Sequence, residues 1–196
     1  GPSHAEEVAK GKITGLITAS LHHRNAIFVR DVLRCSKGIM AYASFDTIGV
    51  QVCAAVKNVI ACVYGMLDAL SETSEIFGDN TESLLMASGL KEIQKIGMAM
   101  GSTHPQTFTS ISGVGDLDVT CKSKFGRNRR FGQDVIKLGL LDQFNDLDDL
   151  ITNVHKVGYL PEGAIACKYV HQISLIKGLK LPICDALFKI LNKEKT

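Results

Sequence analysis

A single lysine interrupts the apolar stretch VQVCAAVKNVIACVYGML, residues 50–67. Lys57 must pair with a carboxylate, reach water or face a cavity, because lysines are seldom buried without compensation. The residues one helical turn away are mostly small, which leaves room for a ligand beside the amine. A desolvated lysine also has a depressed pKa, which would suit a base near neutral pH. A structural ion pair is the alternative, and this segment alone leaves both open.

A second candidate is the glycine-punctuated stretch GVGDLDVTCKSKFGRNRRFG, residues 113–132, which contains Asp116 and Thr120. From Gly126 onward it predicts a helix that begins with several arginines. Arginine forks and free backbone N–H groups at a helix start suit phosphate binding. A solvated basic helix face is the simpler alternative. A nucleic-acid patch is another, although few aromatic side chains are interleaved for base stacking. That patch would use Lys122, Lys124, Arg127, Arg129 and Arg130.

The third stretch is YLPEG, residues 159–163. Proline in the first helical turn followed by glutamate is favourable helix-start chemistry. That structural role is sufficient for Pro161 and Glu162 unless other evidence brings the glutamate close to a ligand.

Composition narrows the class of protein. The chain has 196 residues, 45% hydrophobic and 21% charged, with a net charge of +2, which argues against a general polyanion binder. Its six cysteines and six histidines show neither a CxxC pair nor metal-ligand spacing, so no metal is predicted and a reducing, cytoplasmic setting fits best. The polar start shows no signal peptide. The run 48–67 is long enough to span a membrane, but Gln51, Lys57 and Asn58 favour a buried core helix.

The periodicity of apolar residues divides the chain near residue 46. Before it, strands are predicted over 13–20 and 39–44 with a helix between them, as at the end of a parallel sheet. After it, the patterns predict helices over 47–70, 79–101, 126–138, 161–178 and 183–192. The stretch 140–151 is rich in Asp and Asn and predicts a solvated loop or irregular helix. The predicted fold is therefore mainly α behind a small α/β segment.

Four motifs, in this order and spacing, resemble the bacterial-type NAD(P)-dependent glycerol-3-phosphate dehydrogenases over nearly the whole chain. They are GPSHAEEVAKG, GVQVCAAVKNVIA, SGVGDLDVTC followed by GRNRRFG, and LPEG followed by KYVHQISLIKGLKLPICDALFKIL. Gly126 stands where bacterial members usually have Ser, and Ser88 where Arg is usual.

The resemblance implies a two-part organisation. Residues 1–46 would be the last strands of an N-terminal NAD(P)-binding Rossmann domain. Residues 47–196 would be the helical substrate-binding and catalytic domain, similar to the C-terminal domain of 6-phosphogluconate dehydrogenase. No G-x-G-x-x-G fingerprint follows a strand in this sequence, so the cofactor half is expected to precede it. The chain by itself is then expected to be inactive.

The resemblance also implies roles for single residues. Lys57 matches the proton acceptor that takes the C2 hydroxyl proton as hydride leaves for the nicotinamide. The substrate-binding positions are Gly1, Ser3, Lys57, Asp116, Gly126, Arg127 and Asn128. The positions that contact the cofactor, NAD or NADP, are Ala5, Arg127, Leu160 and Glu162.

The implied function is the interconversion of sn-glycerol 3-phosphate and dihydroxyacetone phosphate, which supplies glycerophospholipid synthesis in the cytoplasm. The partner is a small phosphorylated molecule; neither nucleic acid nor a membrane span is expected, and a homodimer is left open. Two alternatives stay open at this point. One is a related hydroxyacid dehydrogenase with the same Lys-Asn pair. The other is a non-catalytic helical module whose basic cluster binds nucleic acid.

Overall fold

The structure is a computed structural model that describes residues 1–124 and 126–194. Its N-terminal part contains a short helix and two strands that flank a longer helix: α1 (Ala5–Val8), β1 (Thr14–Ala19), α2 (His23–Arg34) and β2 (Ile39–Ser44). The strands pair in parallel, with Thr14 opposite Ile39 and Ala19 opposite Ser44. Parallel neighbours require a crossover, and α2 provides it. The two predicted strands and the intervening helix are confirmed.

This small α/β segment leaves much apolar surface uncovered. On α2 only Ala26 is buried, whereas Phe28 is 68% exposed. Met40 and Tyr42 on β2 are also exposed. Parallel sheets are normally covered on both faces. A two-stranded sheet with an open helix face therefore has the form of the edge of a larger sheet.

Helices make up the rest of the described chain. They are α3 (Thr47–Ser71), α4 (Asp79–Ala99), α5 (Gln106–Thr109), α6 (Asp116–Lys122), α7 (Arg127–Lys137), α8 (Leu147–Thr152), α9 (Glu162–Lys177) and α10 (Pro182–Leu191). A π-helical turn, Ile111–Gly115, leads into α6, and 3-10 turns cover Leu140–Gln143 and Val154–Val157. The five long helices predicted from periodicity are confirmed to within two residues at each end.

The central element is α3, which packs against α4, α6, α7 and α9. Within the described residues it is the helix long and apolar enough to cross a membrane, yet 61% of its most apolar window is buried inside the fold. Its buried residues, including Val59, Ile60 and Ala61, are fully enclosed by the other helices. The prediction of a buried core helix is confirmed, and Lys57 lies in its middle.

Glycines let α7 and α9 approach α3 unusually closely. A Cβ atom on Gly65 of α3 would lie 1.9 Å from the carbonyl oxygen of Arg129, and one on Gly132 of α7 would lie 1.9 Å from that of Cys62. A Cβ on Gly163 of α9 would lie 2.2 Å from the carbonyl oxygen of Asn58. These helices therefore touch backbone to backbone, which fixes their separation more tightly than side-chain packing would.

A buried carboxylate, Asp46, begins α3. It accepts hydrogen bonds from the backbone N–H of Gly49 at 2.9 Å and from the hydroxyls of Ser102 and Thr107, both at 2.7 Å. Burial works to raise the pKa of Asp46, but the bonds from Ser102, Gly49 and Thr107 outweigh it, so the pKa lies below its usual value. Asp46 thus ties the start of the core helix to the segment after α4.

We expect Asp46→Ala to lower the free energy of unfolding by about 2–4 kcal/mol at pH 7, because a helix cap and two buried hydroxyl contacts are lost. Because the folded-state pKa is depressed, the stability added by ionised Asp46 is complete above its unfolded pKa of about 3.9 and is lost as the pH falls through the folded value. Urea unfolding of wild type and variant from pH 7 to pH 3 tests this. A difference between the two that does not shrink in acid would contradict the assignment.

Two parts of the fold differ from the sequence predictions. The 140–151 stretch forms a 3-10 turn and α8, so the irregular-helix alternative is confirmed, but it is not solvated throughout, because its apolar residues Leu140, Phe144, Leu147 and Leu150 are buried. Its Asp and Asn side chains act locally, as when Asp146 caps α8 through the N–H of Asp149. The helix α6 was missed, because glycines interrupt the apolar pattern just before it. The division at residue 46 into two domains stays a prediction.

Candidate active site

The helix α6 carries a carboxylate to the lysine of α3. Lys57 Nζ donates a hydrogen bond to Asp116 Oδ1 at 2.6 Å, and Asp116 is 4% exposed. The preceding π-helical turn allows this placement, since a Cβ on Gly113 would lie 1.8 Å from the carbonyl oxygen of Phe108. Thr120, one turn along α6, donates to the backbone oxygen of Asp116 at 2.6 Å.

Lys57 satisfies both possibilities that the sequence left open. It is ion-paired with Asp116, and its side chain is still 20% exposed. That exposed part faces two adjoining cavities, both of which it lines. The backbone nitrogen of Gly1 lies 3.5 Å from the other oxygen of Asp116, so that carboxylate is enclosed from two sides. A charged amine held at a cavity wall has the placement that proton transfer requires.

The two cavities together collect nearly all the site residues predicted from the resemblance. The smaller, about 70 Å³, is lined by Gly1, Ser3, His4, Lys57, Asp116, Val119 and Thr120. The larger, about 390 Å³, is lined by His4, Ala5, Glu6, Lys57, Asn58, Thr120, Gly126, Arg127, Asn128 and Glu162. The predicted residue Leu160 lines neither cavity and is 43% exposed. Side chains from α1, α3, α6, α7 and α9 thus meet around Lys57.

The start of α7 is fixed by an amide relay. Asn128 donates from Nδ2 to Asn58 Oδ1 at 3.0 Å, and its own Oδ1 accepts the backbone N–H of Gly163 at 2.8 Å. The relay connects α3, α7 and α9, and Asn128 is buried. The carboxamide on residue 58 therefore holds the helix start that faces Lys57.

At the mouth of the larger cavity, Arg127 and Glu162 form an ion pair. The arginine side chain is 57% exposed and the glutamate 33%. Such an exposed pair is weak, so an incoming anion can compete for the guanidinium. The neighbouring Gly126 caps α7, and a Cβ there would lie 3.2 Å from the carbonyl oxygen of Thr120. Glycine keeps this loop close to α6 without strain.

Five lining residues were not among those assigned to the site from the sequence: His4, Glu6, Asn58, Val119 and Thr120. Thr120 lies four residues after Asp116, so both share one face of α6. That spacing is a usable signal only if the stretch is first recognised as helical. Asn58 adjoins Lys57 in sequence, but its role depends on a partner 70 residues away.

Cys53 lies one turn before Lys57 but does not compete with it. Burial, reinforced by Asp116 and Asp46, raises the pKa of its thiol to about 12. The thiol therefore stays protonated at neutral pH and is a poor nucleophile. The amine of Lys57 is left as the reactive group on this part of α3.

The basic cluster at the start of α7 is largely neutralised by carboxylates. Lys122 pairs with Asp118, Arg127 with Glu162, Arg129 with Asp68 and Arg130 with Asp134. Phosphate neutralisation on a nucleic acid depends on cations that can leave such pairs. Three of these four cations are more than half exposed, so an anion can compete for them as it can for Arg127, and the pairing by itself does not separate the nucleic-acid alternative from a phosphate site.

The site combines a lysine at a cavity wall, its carboxylate partner, and an arginine with an asparagine at a helix start. Residues 46–196 match the family model described as the NAD-dependent glycerol-3-phosphate dehydrogenase C-terminus. The chain belongs to this family. The resemblance carried by the four motifs is thereby confirmed, and so is the mainly helical fold.

Bacterial relatives are similar over the whole chain. The glycerol-3-phosphate dehydrogenase (NAD(P)+) of Treponema denticola is 64% identical over 194 residues, which cover 99% of this chain and 54% of the relative. That of Treponema pallidum (strain Nichols) is 59% identical over 195 residues, 100% of this chain and 54% of the relative. The chain therefore spans about half the length of the curated relatives it matches.

Solved structures of family members have the same fold. A crystal structure of glycerol-3-phosphate dehydrogenase from Coxiella burnetii superposes with a TM-score of 0.79 at 28% identity, covering 100% of this chain and 55% of the other. The structure of DsGPDH from Dunaliella salina gives a TM-score of 0.80 at 21% identity, covering 97% of this chain and 32% of the other. At that identity the second likeness concerns the fold alone.

Proposed function

We propose that the chain is the substrate-binding and catalytic half of an oxidoreductase that interconverts sn-glycerol 3-phosphate and dihydroxyacetone phosphate. The observation that carries this proposal is the Lys57–Asp116 pair, placed where two cavities meet. The interconversion of a secondary alcohol and its ketone needs a proton donor or acceptor beside the carbon that changes oxidation state, and this pair provides one. The identity of the proposed substrate is taken from the names of the relatives, which are glycerol-3-phosphate dehydrogenases.

The phosphate of the substrate would lie at the start of α7. The first-turn N–H groups of a helix have no partner within the helix and favour an anion. Arg127 adds a planar guanidinium, and Asn128 holds the helix start in place. From here the three-carbon substrate reaches toward Lys57 across the larger cavity, which both groups line.

In the direction of reduction, the ammonium of Lys57 hydrogen-bonds to the ketone oxygen and gives it a proton as negative charge develops there. Asp116 orients the amine and balances its charge, while Thr120 braces the backbone of Asp116. In the direction of oxidation, the neutral amine takes the hydroxyl proton. The nicotinamide supplies or accepts the hydride when it is bound.

The residues present fit a dinucleotide on the open side of the larger cavity. Ala5, Arg127 and Glu162 line that side, so a guanidinium is available for a pyrophosphate and a carboxylate for a hydroxyl or amide. The remaining contacts would come from a cofactor-binding half, and the uncovered face of α2 and β2 suits the continuation of a parallel sheet. We therefore propose NAD or NADP as cofactor, with the chain inactive when separated from that half.

We further propose that the enzyme works in the cytoplasm and supplies glycerol 3-phosphate for phospholipid synthesis. All six cysteines are free thiols and five of them are buried, which fits a reducing compartment. The chemistry of the product, a phosphorylated three-carbon alcohol, is that of a glycerolipid backbone.

The experiment is NADH and NADPH oxidation by the full-length protein with dihydroxyacetone phosphate, beside unphosphorylated dihydroxyacetone. We expect turnover of the phosphorylated ketone, and Arg127→Gln should raise its KM by roughly 10–100-fold, the size of a lost charged hydrogen bond. Arg130→Gln, which removes a charge next to the site but outside the cavity lining, serves as control. Equal use of both ketones would overturn the phosphate assignment and favour a hydroxyacid dehydrogenase.

A further inference from the structure

Three consecutive side chains at the start of α7 connect it to α3, α6 and α9. Arg127 pairs with Glu162 of α9, and Asn128 bonds to Asn58 of α3 and to the backbone of α9. Arg129 turns in a third direction, toward the end of α6. Successive residues of a helix are rotated by about 100°, so Arg129 reaches α6, which the two residues before it do not contact through their side chains. The first two belong to the site already described, and the third does not.

Arg129 is anchored on α3 by a forked ion pair. Its Nε and Nη2 atoms both donate to Asp68 Oδ2, at 3.1 Å and 2.8 Å, and Gln133 donates to the same oxygen. Both side chains of the ion pair are 20% exposed, and the guanidinium lies 5.8 Å from the centre of the Tyr64 ring. A partly buried ion pair with two N–H donors to one carboxylate oxygen keeps its geometry better than an exposed pair with a single contact.

The remaining guanidinium nitrogen of Arg129 holds the end of α6. Its Nη1 donates to the carbonyl oxygen of Lys122 at 2.8 Å. Lys122 is the last residue of α6, where carbonyls lack partners within the helix. The side chain of Lys122 points elsewhere, to Asp118. Arg129 therefore holds the main chain at the α6 end of the α6–α7 loop, whose described residues are Ser123, Lys124 and Gly126.

We propose that Arg129 is a positioning residue for the proposed reaction. By tying the end of α6 to α3 from within α7, it sets the distance between two parts of the site. One part is Asp116 with Thr120 on α6, and the other is Arg127 with Asn128 on α7. The α6–α7 loop joins them and contains Gly126, which lines the larger cavity. The contacts of Arg129 mainly affect the part of the site that would bind the substrate phosphate, since Lys57 and Asp116 are held independently by their own ion pair.

This inference rests on the proposed function, and its test separates the two. Full-length wild type, Arg129→Met and Arg129→Lys are compared with dihydroxyacetone phosphate as substrate. Lysine keeps a charge for Asp68 but has no fork to reach Lys122 at the same time. Two controls are Lys137→Met, which breaks an ion pair between α7 and the C-cap of α3 (Lys137–Glu72, 2.6 Å), and Arg130→Met, which removes a neighbouring charge.

We expect KM to rise about 10-fold or more in Arg129→Met and less in Arg129→Lys, with kcat changed several-fold less than KM. Hydrogen exchange at the amides of residues 120–123, the end of α6 and its C-cap, should quicken in both Arg129 variants and in neither control. Quicker exchange with an unchanged KM would overturn the positioning role. So would a fall in kcat as large as the rise in KM. A wild type that ignores this substrate would instead overturn the proposed function, while unaltered exchange would still refute the grip on α6.

Discussion

Replacing Lys57 with methionine is expected to lower turnover of dihydroxyacetone phosphate by about 100-fold or more in the full-length enzyme, the usual size of a lost general acid–base. The amine is the group that touches Asp116 and lines both cavities. Methionine keeps the length and the apolar stem, so the core around α3 should stay filled. Steady-state kinetics with NADH or NADPH at saturating ketone measure the loss.

A second variant separates chemistry from charge pairing at this position. Lys57→Arg keeps a cation for Asp116, but a guanidinium stays protonated at any working pH and cannot exchange its proton. It should therefore fold and remain as inactive as the methionine variant. Lys168→Met, which breaks an exposed ion pair with Asp148 elsewhere, should retain wild-type turnover. An arginine variant with near-normal kcat would show that Lys57 is a structural cation.

The largest expected effect on stability comes from Gly132→Ala. Alanine favours a helix by about 1 kcal/mol over glycine, so propensity alone predicts a gain. The added Cβ, however, would lie 1.9 Å from the carbonyl oxygen of Cys62 and 2.7 Å from the backbone nitrogen of Met66. Backbone cannot move aside as a flexible side chain can, so α7 must shift away from α3. We expect a net loss of about 3 kcal/mol or more in the free energy of unfolding, at the upper end for overpacking.

The matched control is Gly115→Ala. Gly115 has helical backbone angles, and the nearest atoms to its added Cβ are 3.5 Å away, an ordinary contact. The free energy of unfolding of Gly115→Ala should be within about 0.5 kcal/mol of the wild-type value or slightly above it. Denaturant unfolding of the two variants compares them directly. If Gly132→Ala unfolds at the same midpoint as the control, the close approach of α3 and α7 does not exist in solution.

Loss of stability in Gly132→Ala should be accompanied by loss of substrate binding. The start of α7 carries Arg127 and Asn128, so a shift of the helix displaces both. A rise in KM at a temperature where the variant is still folded would connect the packing of α3 and α7 to the site.

The sequence by itself determined the long helices and the two strands, because their apolar periods of 3.6 and 2 are local properties of the chain. The sequence also identified Lys57 as a candidate, since a charged residue in so apolar a helix needs a carboxylate partner, water or a cavity beside it. Short elements were harder: α6 was missed because glycines precede it. For the 140–151 stretch the irregular helix was predicted, but the burial of four apolar residues among its many carboxylates was not.

Tertiary structure alone decided which groups meet Lys57. Asp116 is 59 residues away, and the Asn58–Asn128 contact joins residues 70 apart. Nothing in the local pattern encodes these pairings. They depend on how close α6, α7 and α9 come to α3, and for α7 and α9 the glycines at 65, 132 and 163 set that distance through backbone contact. From the sequence, a glycine in a helix predicts a lower helix propensity. Only the packing shows that the missing Cβ is what lets the site assemble.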